Sequence, residues 1–236
     1  MTNASIPGLF ITGTDTGVGK TQVACRIARW LVHAGYRVGV YKPAASGCTV
    51  QDGQTIAEDA ELLWQAAGRP GDRQQVCPQR FLAPLAPPLA ARAEGRKVDA
   101  AALRSGLDFW KDRSEIVLVE GAGGLMSPLS DEDYVADLAE DCGFPLIVVA
   151  PNVLGVINQT LQTLITAATF RDGLPIAGIV LNELGRDVRD DPSVESNYDQ
   201  LVAHCVPPVL ARLSFDSDQF VPEIDWFAIA KACPGE

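Results

Sequence analysis

The stretch LFITGTDTGVGKTQV, residues 9–23, constrains the fold more than any other part of the chain. A short apolar run enters a glycine-containing turn that ends in Gly19-Lys20-Thr21, and an amphipathic stretch follows at once. Strand, glycine loop and helix in that order make backbone N–H groups and a helix N-terminus converge on anionic oxygens. Lys20 then supplies a point charge, the Thr21 hydroxyl a ligand for Mg²⁺, and Gly17 and Gly19 allow close backbone approach, with Val18 and Gln22 completing an ATP-binding loop. The register is unusual: in the pattern G-x-x-x-x-G-K-[ST], Thr14 takes the first position and Gly13 falls one residue early. A glycine-rich strand-to-helix turn without a ligand is the plain alternative.

The rest of the chain fits that start. Apolar runs at 9–12, 37–43, 115–121, 145–151, 176–182 and 207–213 suit strands covered on both faces. Helical stretches near 19–34, 56–67, 99–111, 135–141, 155–170 and 193–204 lie between them. Strand–helix alternation predicts an α/β fold, a doubly wound and mostly parallel sheet flanked by helices. One domain is expected over residues 1–236. The Pro-rich region 70–98 reads as an irregular excursion with at most one short helix.

A net charge of −11 argues against a nucleic-acid or anionic-membrane surface and favours a small-molecule partner. Six cysteines (Cys25, Cys48, Cys77, Cys142, Cys205, Cys233) form no C-x-x-C pair, and His33 and His204 are the only histidines. Structural zinc is therefore not expected, and the cysteines read as buried small hydrophobes of a cytoplasmic protein. No signal peptide and no apolar run of membrane-spanning length is found.

Three further segments carry chemistry. Lys42 in YKPAASG (41–47) stands at the carboxyl end of the second strand, where open α/β sheets bind ligands, although a solvated lysine is the commoner outcome for its type. In IVLVEGAGGLMSPL (116–129) four apolar residues bring Glu120 to a strand tip beside Thr21, in position to bind Mg²⁺, and Gly121, Gly123 and Gly124 let the backbone pass close to a ligand. Asp59 reads first as a helix-capping or solvated carboxylate. Asn182 ends a strand and fits either a purine edge or a turn.

Taken in order, TGTDTGVGKT, YKPAASG, EGAGGLMSPLSD and IVLNE resemble the dethiobiotin synthetase family over residues 8–184. The resemblance implies that ATP, CO₂ and 7,8-diaminopelargonate become dethiobiotin, ADP and phosphate, through a carbamate and a carbamic–phosphoric anhydride. It assigns Lys20 to the β- and γ-phosphates, and Thr21, Asp59 and Glu120 to Mg²⁺. Lys42, with Lys20 and Thr16, is the catalytic candidate. Ser46, Thr16 and Lys42 would hold the carbamate and diamine, Gly121, Ala122, Gly123 and Gly124 would line the phosphates and diamine, and Asn182 with Glu183 would meet adenine. A homodimer is implied, with Leu154, Gly155, Val156, Ile157 and Asn158 of one subunit meeting the substrate tail of the other.

The chain departs from the family pattern at Gly17, often acidic there, at Ala86-Pro87-Pro88 in place of Ser-Pro-His, and at LARLSFDSD (210–218), which replaces the stretch lining the adenine pocket. Two other readings compete. A partition-type switch ATPase is disfavoured because Asp15 stands where that branch carries its signature lysine. An amidoligase of the cobyrinate type would need a glutaminase domain for which the chain has no room.

Overall fold

The computed structural model describes residues 6–185 and 191–232; Cys233 lies outside the described residues. The sheet is built from β1 (Gly8–Gly13) and β2 (Val38–Tyr41), with α1 (Lys20–His33) between them. Two small pairs follow: β3 (Ala44–Ala45) with the later β6 (Gln79–Arg80), and the hairpin of β4 (Thr49–Gln51) and β5 (Gln54–Ile56). The helices α2 (Glu58–Ala66), α3 (Arg73–Val76), α4 (Pro87–Ala93), α5 (Ala100–Ser105) and α6 (Asp108–Lys111) lead to β7 (Ile116–Gly124). Then come α7 (Val135–Cys142), β8 (Leu146–Pro151), α8 (Val156–Thr169), β9 (Ile176–Asn182), α9 (Ser193–His204), β10 (Val209–Leu213), β11 (Phe220–Val221) and α10 (Trp226–Ala232).

The main sheet runs β11-β10-β9-β8-β1-β7-β2, parallel except for the β10–β11 pair. From β1 the chain crosses to β2 on one side, whereas from β7 it steps through β8, β9 and β10 on the other. Right-handed crossovers then place α1 on one face and α7, α8 and α9 on the opposite face, so the sheet is doubly wound as expected. β1, β2 and β8 are buried along their whole length, which is why their sequences are unbroken apolar runs rather than alternating ones. α1 buries Val23, Ala24, Ile27, Ala28 and Leu31, a single stripe at helical spacing.

The stretch 99–111 folds as two helices rather than one. A Cβ at Gly106 would lie 2.2 Å from the Tyr41 hydroxyl oxygen, and that hydroxyl reaches the carbonyls of Ala102 and Leu103 at 3.0 Å each. The helix is interrupted where a neighbouring strand's side chain takes its carbonyls. Ala86-Pro87-Pro88 forms the start of α4, with both prolines buried, a use that suits a residue lacking N–H in a first helical turn. The β4–β5 hairpin, which the apolar runs do not reveal, has a local cause: Asp52-Gly53, both at positive φ (51° and 74°), is the two-residue turn that hairpins favour.

Arg104 ties α5 to the segment before α7 through Asp133 (2.8 Å) and to Asp141 (2.6 Å). The Arg104 hydrogen bond holds the Asp133 carboxyl below its usual range. A depressed folded-state value contributes stability above the unfolded-state value and loses it as pH falls through the folded one. Arg104→Gln is therefore expected to unfold at a higher pH than the parent on acid titration followed by circular dichroism; coincident acid transitions would rule out this coupling.

Candidate active site

The carboxyl ends of β1, β7 and β2 open into a cavity of about 330 Å³. It gathers Thr16, Gly17, Gly19, Lys20 and Thr21 from the loop, Lys42 and Ser46 from the turn after β2, Asp59 from α2, and Glu120, Gly121, Ala122 and Gly123 from β7. These come from four separated stretches of sequence, brought together because β7 lies between β1 and β2. Ala44 and Ala45 also line it, small residues with no polar signal in the sequence.

The loop is shaped by its glycines and by Asp15. Gly19 sits at the start of α1 with φ 87°, and no side chain caps that helix, so its first-turn N–H groups stay available to an anion. A Cβ at Gly19 would fall 2.1 Å from Asn182 Nδ2, so glycine is required by contact as well as by backbone conformation. Gly17, at φ 78°, has open space beside it. Thr16 N–H donates to Asp15 Oδ1 (2.6 Å) and Lys20 Nζ donates to the Asp15 carbonyl (2.9 Å). Asp15 thus builds the turn on which Lys20 rests, a role that the Asp-containing turn sequence could have suggested.

Charge is concentrated at the base of the cavity. Lys42 Nζ lies 2.5 Å from Glu120 Oε1 and 3.1 Å from Asp59 Oδ2, and Thr21 Oγ1 donates to the same Glu120 oxygen at 2.8 Å. Lys42 and Glu120 are 4 % and 1 % exposed, so this pair is removed from water, while Asp59 is half exposed. Burial pulls the Lys42 ammonium down, but Glu120 and Asp59 outweigh it and raise its pKa above the ordinary lysine value. Burial alone would raise Asp59; Lys42 reverses that and holds the carboxyl below its usual range. Lys20 is lowered, chiefly by burial and against the pull of Glu120.

The donor set suits Mg²⁺. Glu120 Oε2 is buried with no hydrogen-bond partner among the described residues, next to a hydroxyl and a second carboxylate. Two carboxylates and a hydroxyl are too few for an all-protein cage but match an ion that keeps waters and phosphate oxygens as ligands.

Other residues expected at the site lie outside this cavity. Val18 is buried, its side chain packing where a Cβ on Gly13 would go. Gly124 donates its N–H to Ser127 Oγ and continues β7 rather than facing the cavity. Asn182 is fully buried beneath the loop: its Nδ2 donates to the Val18 carbonyl (3.1 Å) and to Gln22 Oε1 (3.4 Å), leaving Oδ1 without a partner among the described residues. Glu183 donates its N–H to the Leu213 carbonyl, and the 210–218 segment is held on α1 by the Arg26–Asp218 ion pair at 2.8 Å. At the start of α8, Leu154, Gly155 and Asn158 are exposed, Ile157 is partly buried and Val156 is fully buried in the core. The Leu154 N–H there donates to Asp191 Oδ2 at 3.0 Å, so a carboxylate already sits at this helix start.

The fold and the loop define a P-loop α/β nucleotide-binding protein. The family described as an AAA domain matches residues 7–219. The chain is similar to the ATP-dependent dethiobiotin synthetase BioD of Rhodopirellula baltica, at 44 % identity over 90 % of this chain and 86 % of that protein. It is also similar to those of Anaeromyxobacter dehalogenans (strain 2CP-C), at 45 % identity over 89 % and 91 %, and Bacillus licheniformis, at 39 % over 86 % and 83 %. Among solved structures, the signal recognition particle receptor FtsY of Elizabethkingia anophelis has TM-score 0.51 and 14 % identity, covering 97 % of this chain and 65 % of that one, a likeness of fold alone. The chain belongs to the ATP-dependent dethiobiotin synthetase family. Among the described residues no helix is long and apolar enough to cross a membrane.

Proposed function

We propose that the cavity binds MgATP and the carbamate of 7,8-diaminopelargonate side by side and joins them to make dethiobiotin. One amine of the diamine captures CO₂ as a carbamate. A carbamate oxygen attacks the γ-phosphorus, ADP leaves, and a carbamic–phosphoric anhydride forms. The neighbouring amine then attacks the carbonyl carbon, phosphate departs, and the cyclic urea closes. No enzyme nucleophile is consumed, so the chain's contribution is position and charge.

The observation that carries this reading is the Lys42 ammonium, buried and held beside Glu120 within a cavity whose other wall is an uncapped phosphate loop. Lys42 stabilises charge on the carbamate and on the transferred phosphoryl group, its ammonium held beside the Glu120 carboxylate at 2.5 Å. Lys20 and the first-turn N–H groups of α1 bind the β- and γ-phosphates. Thr16 and Ser46 hold the carbamate and diamine, and the Gly121–Gly123 backbone sets their distance from the phosphates. Thr21, Asp59 and Glu120 would hold Mg²⁺, which neutralises phosphate charge when bound. Asn182 Oδ1, buried and without a partner among the described residues, would meet the adenine amino group only if the loop above it moves.

A homodimer completes the site in this reading. The exposed start of α8 in one subunit meets the carboxylate tail of the diamine bound in the other, a pairing supported by the helix N-terminus, whose Leu154 N–H is taken by Asp191 so that the tail would meet the N–H groups that follow. The decisive test measures dethiobiotin and phosphate with ATP, bicarbonate and diaminopelargonate, leaving out each in turn. Both products are expected to require all three. Phosphate release that continues unchanged without the diamine would overturn the proposal.

A further inference from the structure

The wall of the loop cavity formed by Gly121, Ala122 and Gly123 is a bulge in β7. Ile11 lies opposite Glu120 and Gly13 opposite Gly124, so Thr12 alone spans on β1 what those three residues span on β7. The surplus backbone is pushed out of the sheet and into the cavity, which is how a bulge re-aims a strand beside a site. Such a wall has to be pinned at both ends, because bulged residues are left outside the ladder. At the near end Glu120 is buried against Lys42 and Thr21. The far end has no strand beside it on the β2 side, since the pairing of β2 with β7 stops at Tyr41 and Val119.

Ser127 supplies the bonds that a strand would have given. Its Oγ accepts the Gly124 N–H at 2.9 Å, and its own N–H donates to the Gly124 carbonyl at 3.0 Å. The Ser127 carbonyl accepts the Val135 N–H at 3.0 Å and the Leu125 carbonyl accepts that of Ala136 at 2.9 Å, so the turn is anchored on the start of α7. Gly123 packs directly on the hydroxyl: at its φ of 77°, a Cβ would fall 2.2 Å from Ser127 Oγ and 3.4 Å from Thr16 Oγ1. Ser127 itself does not line the loop cavity; with Gly124 it lines a neighbouring hollow of about 400 Å³.

We propose that Ser127 is a positioning residue for the diamine, its hydroxyl fixing the far end of the bulge and with it the spacing between the Gly123 backbone and Thr16. The identity of that substrate rests on the reaction proposed above, whereas the clamp on the bulge does not. The phosphates are held by Lys20 and the start of α1, and Lys20 rests on the Asp15 carbonyl rather than on Ser127, so loss of the hydroxyl spares them.

The test puts two readouts on the whole protein as parent, Ser127→Ala and Ser127→Thr. Amide hydrogen exchange followed by NMR without ligands is expected to be about tenfold faster at Gly124 in Ser127→Ala and parent-like in Ser127→Thr, which keeps the hydroxyl. Initial rates of dethiobiotin formation are expected to give Ser127→Ala a KM for diaminopelargonate raised about fivefold, the scale of one lost hydrogen bond. Its KM for ATP should match the parent, and Ser127→Thr should restore the diamine value. Parent-like exchange at Gly124 in Ser127→Ala, or a parent-like KM for the diamine, would overturn the proposal. An equal rise in both KM values would do the same, since it marks a general loosening of the site. A parent that makes no dethiobiotin would instead remove the proposed reaction, and the exchange at Gly124 would still decide whether Ser127 holds the bulge.

Discussion

Replacing Lys42 by methionine is expected to lower the rate of dethiobiotin formation by about 10²–10³-fold, the loss seen when one preorganised charge-stabilising donor is removed. Methionine keeps the length and burial of the side chain but not the charge. The same substitution leaves Glu120, 1 % exposed, without its cation. Breaking a buried pair on one side costs about 3–5 kcal/mol, so the metal-free variant should melt well below the parent. Mg²⁺ and nucleotide together should recover much of that stability, because a cation again faces the carboxylate, while turnover stays low. The two readouts separate the structural from the catalytic part of Lys42. Near-normal turnover in the nucleotide-saturated variant would remove Lys42 from the mechanism.

Gly19→Ala should be nearly as damaging, through geometry alone. The added Cβ would stand 2.1 Å from Asn182 Nδ2, an amide that is itself fully buried and bonded to the Val18 carbonyl. Alanine at φ 87° also carries a backbone cost of about 1–2 kcal/mol. The loop must shift, and its N–H groups then no longer converge on one point. Nucleotide affinity measured by equilibrium titration is expected to fall by about two orders of magnitude, in proportion to roughly 2.8 kcal/mol of lost interaction. Adding Asn182→Ala relieves the contact but not the backbone strain, so the double variant should bind better than Gly19→Ala and worse than Asn182→Ala. A double variant no better than Gly19→Ala would show that contact with Asn182 is not the cause.

Much of this site is legible in the sequence alone. Lys20 and Thr21 follow from a glycine loop between an apolar run and an amphipathic stretch, and Glu120 from four apolar residues that must end somewhere. Asp59 was not readable from residue type, since a carboxylate in the first turn of a helix caps or solvates far more often than it binds metal. The family resemblance singled it out, and its 3.1 Å approach to Lys42 adds a physical reason. For Asn182 the residue type left a purine edge and a turn open, and the structure adds a third task, its amide donating to the Val18 carbonyl beneath the loop. The break at Gly106 escaped because its cause, the Tyr41 hydroxyl, belongs to a strand 65 positions earlier, as the numbering of the two residues shows.

The sequence by itself determined the main parallel strands and the long helices between them, because helical and strand periodicity are properties of neighbours along the chain; the small pairs and the two helices within 70–98, where at most one was expected, came only with the structure. It also determined that a phosphate loop was present and which family its motifs resembled. Only the tertiary structure decided that Lys42 and Glu120, 78 positions apart, form a buried pair, and that Asn182 lies under Val18, 164 positions away. Those meetings depend on β7 inserting between β1 and β2 and on the register of each parallel pair. Strand order is set by how the whole set of apolar faces is covered, and no local stretch of sequence contains that information.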